Sequence, residues 1–253
     1  MNIGEESEYF VKAFLLKQKD KKLEDTVFGK IHQLSDDGNL KELKWKEEAD
    51  SPLEEFKIEK LIEILEIKKS KSNSKADISI NNISYSVKEV SGAKPAIVNH
   101  TPRNGFEFAC DQCGSSIKTL DEIIESYWKL RLEGILKEDV HTTGENSPFS
   151  AQKKYFKPII EYFLFTGTGS KISNFPAMSI LEIDNYKKLP NGIKIIGKKD
   201  YFEQIWDNLV FSVRSKGMPA NYPKERKQEN HKSIKKWTKK INGKNKGSLH
   251  IRV

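Results

Sequence analysis

The sequence has few cysteines and no long hydrophobic run. Its 253 residues include only Cys110 and Cys113, too few for a disulfide framework. No apolar stretch approaches the roughly 18 residues that a membrane-spanning helix needs. The first residues, MNIGEE, are acidic where a secretory signal would be basic and then apolar. We therefore expect a globular protein of the cytoplasm that has no membrane partner.

Positive charge is present in excess, and it is concentrated at one end of the chain. Residues 214–253 contain 13 basic and two acidic side chains, a net charge of +11, whereas residues 1–213 have a net charge of −3. Aromatic and apolar residues, among them Trp237 and Ile241, interrupt the lysines, which favours a folded basic surface over a solvated tail. Such a surface is typical of proteins that bind nucleic acid.

Helical and strand-like patterns alternate along the chain, which predicts the α/β (α+β) class. Helices are expected over residues 5–16, after Ser51 and Pro52, over 120–136 and over 201–209, and residues 155–165 fit a helix or a strand. Strands are expected over 41–45, 77–88, 178–183 and 194–196. Without repeats or linkers, we expect one compact unit, with residues 1–213 as the core and 214–253 as a basic elaboration packed on it.

The most regular pattern is a hairpin between Asp77 and Lys88. Two strands flank Asn81-Asn82, a pair that tolerates the left-handed backbone of a two-residue turn. That turn predicts Ile80 opposite Ile83 and Asp77 opposite Ser86. Alternation then gives one apolar face, made of Ile78, Ile80, Ile83, Tyr85 and Val87, and one polar face, made of Asp77, Ser79, Ser84, Ser86 and Lys88.

A carboxylate diagonal to a lysine on one strand face can serve phosphodiester hydrolysis. The carboxylate of Asp77 would hold Mg²⁺ against the phosphate, and Lys88 would orient water and stabilise developing charge. A surface ion pair on a hairpin is the simpler reading of the same residues. The arrangement resembles the PD-(D/E)xK nuclease core, which implies a mixed central sheet flanked by helices.

The chain departs from that pattern at Ser86, where an acidic residue is usual. A serine hydroxyl can hydrogen-bond a metal-bound water but supplies no charge, so a second carboxylate is needed. The family often contributes a glutamate from an N-terminal helix beside the sheet. The resemblance therefore implies Glu8 as catalytic residue and metal ligand, with Glu5 as the second candidate ligand on the same helix face.

The residues around this hairpin resemble the HpaII-type restriction endonucleases. After Ser86-Val87-Lys88 come a glycine, a proline, an apolar run and an asparagine before Phe106. The other similar segments are Gly4-Glu5-Glu6-Ser7-Glu8, residues 162–170, Pro176-Ala177 and Ile180-Leu181. The resemblance covers about two thirds of the chain and implies a Mg²⁺-dependent type II restriction endonuclease of a restriction-modification system. Its substrate would be a short double-stranded DNA sequence, CCGG in the named family.

Candidate DNA contacts fall into two groups. Asn99, His100, Arg103 and Asn104 follow the hairpin, and arginine and asparagine are the side chains that most often read guanine and adenine. A polar surface loop is the alternative reading. The second group is the lysines of residues 232–246, which we assign to phosphate contacts. This group comprises Lys235, Lys236, Lys239, Lys240 and Lys244.

Two further motifs and two further functions stay open. Cys110-Asp-Gln-Cys113 is half of a zinc site, and a structural site would need two more ligands, such as His100 and His141. Thr166–Ser170 is a turn or a phosphate-contacting loop. The chain could also be a structure-specific repair or recombination nuclease, or a non-catalytic DNA-binding protein. A palindromic site favours a homodimer, in which a two-fold axis relates two active sites.

Overall fold

The computed structural model describes residues 3–18, 22–23, 26–27, 29–49, 57–71, 74–90, 96–189, 191–216 and 228–253. In these ranges helices and sheets are mixed, as the α+β prediction requires. None of the described helices combines the length and the apolar character needed to cross a membrane. The chain divides into two compact units, Met1–Lys94 with Ile172–Tyr201, and Pro95–Lys171 with Phe202–Val253. This division differs from the predicted boundary at residue 213.

The first unit contains two helices and eight strands within its described part. The helices are α1 (Ile3–Lys17) and α2 (Ile58–Leu65). The strands are β1 (Lys22–Leu23), β2 (Thr26–Val27), β3 (Ile31–Leu34), β4 (Leu40–Glu42), β5 (Ile78–Ile80), β6 (Ile83–Glu89), β9 (Ser179–Ile183) and β10 (Ile193–Gly197). Helix α6 (Lys198–Ile205) contains the division between the units.

Six of these strands form a mixed sheet in the order β10-β9-β6-β5-β3-β4. The pairing of β6 with β9 is parallel, and the other neighbours are antiparallel. The hairpin β5–β6 therefore lies at the centre of the sheet. Strands β1 and β2 form a separate pair.

Helix α1 packs on this sheet through an apolar stripe. Glu5 and Glu6 lie in its first turn and Lys17 in its last, where each sign of charge complements the helix dipole. Val11, Phe14 and Leu15 are buried in the same core cluster as residues of β5 and β6. Burying this stripe holds the polar first turn of α1 beside the sheet.

The β5–β6 hairpin confirms the predicted register between its strands. Ile78 pairs with Tyr85, Ser79 with Ser84 and Ile80 with Ile83, and Asn81 and Asn82 have φ values of 50° and 67°. The polarity of the two faces does not divide them into a buried side and an exposed side. Ile83 is 40% exposed, because it borders the turn, and the serines of the polar face are buried. Ser84, for example, donates a hydrogen bond of 2.7 Å to the carbonyl of Pro176.

The second unit has its own sheet of four antiparallel strands. Their order is β7 (Ala96–Pro102), β14 (Ser248–Arg252), β11 (Val210–Arg214) and β8 (Asp139–His141). A two-stranded ribbon comprises β12 (Lys239–Ile241) and β13 (Lys244–Lys246). The helices are α3 (Arg103–Cys113), α4 (Ile117–Leu132), α5 (Lys153–Glu161) with a π-helical continuation over Tyr162–Thr166, and α7 (Gln228–Trp237).

Aromatic side chains fill the core of this second unit. Phe149 stacks on Phe211 with ring centroids 4.3 Å apart, and Phe106 packs against Trp237. Trp237 is 1% exposed, which makes it a core anchor and leaves it unavailable for base stacking. The C-terminal strand β14 is central to the sheet, so the basic C-terminal segment is an integral part of this unit.

Candidate active site

Asp77 lies immediately before β5, with its carboxylate fixed against β6. Asp77 Oδ2 accepts hydrogen bonds from the backbone N–H of Val87 at 2.8 Å and from Ser86 Oγ at 3.3 Å. The backbone N–H of Asp77 donates to the carbonyl of Tyr85 at 2.8 Å, one residue away from the predicted partner Ser86. The regular strand pairing ends at Ile78 and Tyr85, and beyond it Asp77 meets Ser86 through its side chain. The Asp77 carboxylate thus accepts the Val87 N–H, which a backbone carbonyl would accept in a regular strand pair. Its Oδ1 accepts no hydrogen bond from the described residues.

Glu8 of α1 lies close to Asp77. Glu8 Oε1 accepts hydrogen bonds from Ser70 N and Ser70 Oγ at 2.8 Å each and from Lys12 Nζ at 2.7 Å. Ser70 Oγ is also 3.2 Å from the carbonyl oxygen of Asp77, so Ser70 bridges the two acidic residues. Burial raises the pKa of Asp77, and the negative charge of Glu8 raises it further.

The other predicted ligand, Glu5, lies elsewhere. Its carboxylate pairs with the ammonium of Lys69, and this pair is partly exposed. The structure thus brings together Glu8 and Asp77, and it places Glu5 in a surface ion pair.

Lys88 extends from β6 on the same side of the hairpin as Ser86. Its position in the strand aligns with Glu182 of the parallel strand β9. The positive charge of Lys88 lowers the pKa of Asp77, against the larger effect of burial, so the two groups are electrostatic neighbours. Within the described ranges no hydrogen bond or ion pair engages the Lys88 ammonium. It is therefore free to act on a bound molecule.

Lys75 is a residue at this site that sequence reasoning missed. Burial lowers the pKa of Lys75 to about 8, the charge of Lys88 lowers it further, and Asp77 opposes the shift. The three side chains therefore form one electrostatic group. The sequence could have indicated Lys75, because a residue two positions before Asp77 lies on the same face of an extended chain.

Lys12 is the second residue that was missed. Its side chain is buried, and besides Glu8 it donates to the carbonyl of Lys68 at 2.7 Å. Glu8 and Lys12 are four residues apart on α1, the spacing at which oppositely charged side chains meet on a helix. Lys12 thereby fixes the orientation of Glu8.

The two carboxylates fit a magnesium ion better than they fit a structural metal. In the part of the chain that the structure describes, no three His, Cys, Asp or Glu side chains converge as a metal site. Mg²⁺ often binds through one or two carboxylates and retains several waters. Asp77 Oδ1 and Glu8 Oε2 accept no hydrogen bond from any described group, so each is available to a cation.

Comparisons with protein-family models, with curated proteins and with solved structures found no match. Support for a function therefore comes from the geometry of the chain and from the resemblance of its motifs.

The cysteine motif does not form a zinc site among the described residues. Cys110 is buried, and this burial raises the pKa of its thiol to about 12, which disfavours the thiolate that zinc requires. Cys113 lies 3.3 Å from the hydroxyl of Ser115. These contacts agree with two structural cysteines.

The segment Thr166–Ser170 ends in a turn. Thr168 N donates to the carbonyl of Lys171 at 2.9 Å. A Cβ atom on Gly169 would lie 2.8 Å from Thr101 Cγ2 and 3.0 Å from the Cα of Gly105, so close packing requires the glycine. These contacts account for the motif without a phosphate ligand.

The predicted base-reading role of Arg103 does not fit its position. Arg103 is 7% exposed, and its Nε and Nη2 donate to the two carboxylate oxygens of Asp121 at 2.7 and 2.8 Å. Its Nη1 donates to Ser233 at 2.6 Å and to Glu107 at 3.1 Å. The guanidinium is therefore committed to joining helices α3, α4 and α7. In sequence, an arginine that binds an internal carboxylate looks the same as one that binds a base.

Two of the remaining candidates for base contacts, Asn99 and His100, lie in a β-bulge of β7. Asn99 and His100 of β7 lie opposite the single residue His250 of β14, and His100 has a φ of 48°. The His100 and His250 rings stack 4.4 Å apart, and burial lowers the pKa of His100 to about 4. Asn99 is exposed, whereas Asn104 is half-buried at the start of α3. The base-reading role of Asn99, His100 and Asn104 stays a prediction.

The candidate phosphate-contacting lysines all lie at the surface of the second unit. Lys235 and Lys236 are on α7, and Lys239, Lys240 and Lys244 are on the two-stranded ribbon, all of them exposed. Lys236 also donates to Asp121 Oδ2 at 2.7 Å. Their exposure is what phosphate contacts require, and those contacts stay a prediction.

Replacing Asp121 is expected to destabilise the second unit. Burial alone would raise the pKa of Asp121, but hydrogen bonds from Arg103, Lys236 and Trp237 lower it, so the carboxylate is charged when folded. Asp121→Asn leaves the buried Arg103 charge poorly compensated, which costs about 3–5 kcal/mol of unfolding free energy. Urea denaturation measures this loss. Glu125→Gln, an exposed change on the same helix, should alter stability by less than about 0.5 kcal/mol, and equal effects would contradict the assignment.

Glu8→Gln is expected to weaken the response of DNA cleavage to Mg²⁺ much more than Glu6→Gln. The change also leaves the buried ammonium of Lys12 without its charged partner, which costs up to about 3–5 kcal/mol of stability. The double variant Glu8→Gln/Lys12→Met should recover stability but not the Mg²⁺ response. Metal titrations of cleavage together with urea denaturation separate the two effects. If the double variant regains normal Mg²⁺ dependence, Glu8 only orders the helix.

Proposed function

We propose that the protein is a Mg²⁺-dependent type II restriction endonuclease with a PD-(D/E)xK-like core. One observation carries the proposal. At the central hairpin of a mixed sheet, the Asp77 carboxylate is fixed on β6, Ser70 connects the Glu8 carboxylate to Asp77, and the ammonium of Lys88 belongs to the same electrostatic group. This combination is suited to cleaving a phosphodiester bond.

Each side chain has a distinct part in the proposed reaction. Asp77 and Glu8 would hold the magnesium ion, which when bound would neutralise phosphate charge and increase the acidity of a bound water. Lys88 would orient the attacking water and stabilise negative charge that develops on the phosphate. Ser86 supports Asp77 through the 3.3 Å contact with Oδ2, which gives this residue a role that does not require a carboxylate.

Lys12 and Ser70 would act as positioning residues for Glu8. They occupy Oε1 with three hydrogen bonds of 2.7–2.8 Å, so the side chain is held in one orientation. A preorganised carboxylate loses little conformational freedom when a cation binds. This helps a site that offers Mg²⁺ only two carboxylates.

A non-catalytic DNA-binding protein is the alternative from a different class. The serine at position 86 favours it, because this position lacks the usual second acid of the motif. The basic C-terminal segment would serve either function. The nearby carboxylate of Glu8 favours the catalytic proposal over this alternative.

The test is to incubate the purified protein with Mg²⁺ and four DNA substrates: supercoiled plasmid, linear duplex, a four-way junction and single-stranded DNA. Plasmid fragments whose sequenced ends share one short motif would support the restriction endonuclease. Preferential cleavage of the junction or of single strands would instead select a structure-specific nuclease. Binding without any cut would select the non-catalytic alternative.

The proposed reaction also makes a homodimer the simplest assembly. Cutting both strands of a palindrome requires two active sites, and a two-fold axis relates two copies in the way that it relates the half-sites. Light scattering of the protein bound to a cleaved sequence would measure the number of copies. We propose the cytoplasm as the location, since that is where such an enzyme meets DNA.

A further inference from the structure

Strands β12 and β13 form a sharply defined ribbon in the basic C-terminal segment. Lys239 pairs with Lys246, Lys240 with Asn245 and Ile241 with Lys244. The turn residues Asn242 and Gly243 have φ values of 49° and 76°, as in the tight turn that matches the natural twist of two strands. The ribbon is therefore a structured hairpin, although its sequence resembles a solvated lysine run.

The register divides the ribbon into two faces. Directly paired residues lie on the same face, and successive residues alternate, so Lys239, Ile241, Lys244 and Lys246 share one face. The ammonium of Lys246 pairs with Glu138, which anchors this face to the rest of the unit. Lys240 and Asn245 are directly opposite each other on the other face, and both are exposed.

The ribbon has unbalanced positive charge and free polar groups. Residues 239–246 contain four lysines and no acidic residue. Among the described contacts, Lys246 is the ribbon lysine that forms an ion pair. The ammonium groups of Lys239, Lys240 and Lys244 and the side-chain amide of Asn245 have no partner there. Such a surface complements a polyanion that also offers hydrogen-bonding edges.

We propose that this ribbon enters the major groove of duplex DNA and that Asn245 and Lys240 contact base edges there. This inference rests on the proposed function, because it assumes that DNA is the ligand. The major groove of B-form DNA, about 12 Å wide, admits a two-stranded β-ribbon. Asn245 suits the edge of adenine and Lys240 that of guanine.

These two side chains lie close enough together to reach neighbouring bases. The Cβ atoms of directly opposite residues are about 4.5–5.5 Å apart, and successive bases on one strand are about 3.4 Å apart along the helix axis. Lys239 and Lys244 lie on the anchored face, where phosphate contacts are the expected role. The ribbon would thus read sequence with one face and grip the backbone with the other, whereas the sequence alone assigned its lysines to phosphates.

The test compares Asn245→Ala and Lys240→Ala with the control Lys235→Ala, an exposed lysine of α7. Each protein selects from a pool of random 30-base-pair duplexes in the absence of divalent cations, and the bound fraction is sequenced. Each ribbon variant should lose discrimination at one base pair by about 5- to 150-fold. Lys235→Ala should weaken binding to the whole pool and reduce the salt slope by about one unit, with the preferred sequence unchanged.

Duplex RNA of the selected sequence should not compete for this sequence-specific binding, because its major groove is too narrow and deep for side chains to read. If both ribbon variants select the wild-type sequence with undiminished discrimination, or if duplex RNA competes equally, the ribbon proposal is overturned. If the ribbon proposal fails but the wild type cleaves DNA at one sequence in a separate incubation with Mg²⁺, the proposed function stands without it. A wild type that neither binds nor cuts DNA overturns both.

Discussion

Asp77→Asn should lower the rate of DNA cleavage by at least about 100-fold while leaving DNA binding unchanged or stronger. The amide keeps the shape of the side chain and an oxygen that can accept from Val87 N–H, so the hairpin is preserved. What it removes is the negative charge that would hold Mg²⁺, and a metal contributes several kcal/mol of transition-state stabilisation. Binding does not suffer, since two carboxylates facing a phosphate repel it until a cation arrives.

Single-turnover cleavage at saturating protein measures this effect separately from affinity. Asp200→Asn, an exposed change at α6, is the matched control and should cleave at the wild-type rate. If Asp77→Asn cleaves nearly as fast as the wild type, Asp77 is not part of the active site, and its contact with Val87 is purely structural.

The second large effect is expected at Lys88. Lys88→Ala removes the ammonium that would position the nucleophile and stabilise charge on the phosphate, so cleavage should fall by about 100- to 10,000-fold. Lys88→Arg keeps the charge but replaces a compact ammonium with a broad planar group, so it should also fail to restore activity. Because no hydrogen bond or ion pair from the described residues engages the Lys88 ammonium, neither change should alter the urea midpoint.

Lys194→Ala is the control for this prediction, since Lys194 is an exposed lysine on the neighbouring part of the same sheet. Its cleavage rate should be that of the wild type. Loss of activity in Lys194→Ala together with normal activity in Lys88→Ala would mean that the catalytic lysine has been assigned to the wrong strand.

The hairpin could be predicted in detail because its information is local. Alternating residues on either side of Asn81-Asn82 permit one register, and the observed pairs agree with it from Ile78 to Tyr85. The regular pairing ends before Asp77, whose carboxylate accepts the Val87 N–H in place of a backbone carbonyl. A register rule treats every position as regular, so it cannot anticipate a side chain that ends the strand.

The second sheet could not be predicted, because its strands are far apart in sequence. Strand β14 pairs with β7 and β11, which begin at Ala96 and Val210. Its alternating apolar residues Leu249 and Ile251 follow a lysine-rich stretch and were interpreted as part of a basic segment. The predicted boundary at residue 213 falls at the end of β11 for the same reason.

At the candidate site, too, contacts between residues far apart in sequence could not be predicted from spacing. Spacing along the hairpin placed Asp77 and Lys88 on one face, whereas the proximity of Glu8 followed only from the family resemblance. Ser70, which bridges Glu8 and Asp77, lies outside every motif in the sequence. Arg103 was misassigned because its partner Asp121 is 18 positions away on another helix.

The most direct measurement of the central claim is the conversion of supercoiled plasmid by the wild type, Asp77→Asn and Lys88→Ala, each with Mg²⁺ and with EDTA. The account predicts that the wild type cuts the plasmid with Mg²⁺ alone, and that both variants bind the plasmid but leave it supercoiled. Cleavage by the wild type in EDTA, or cleavage by either variant at the wild-type rate in Mg²⁺, would contradict it.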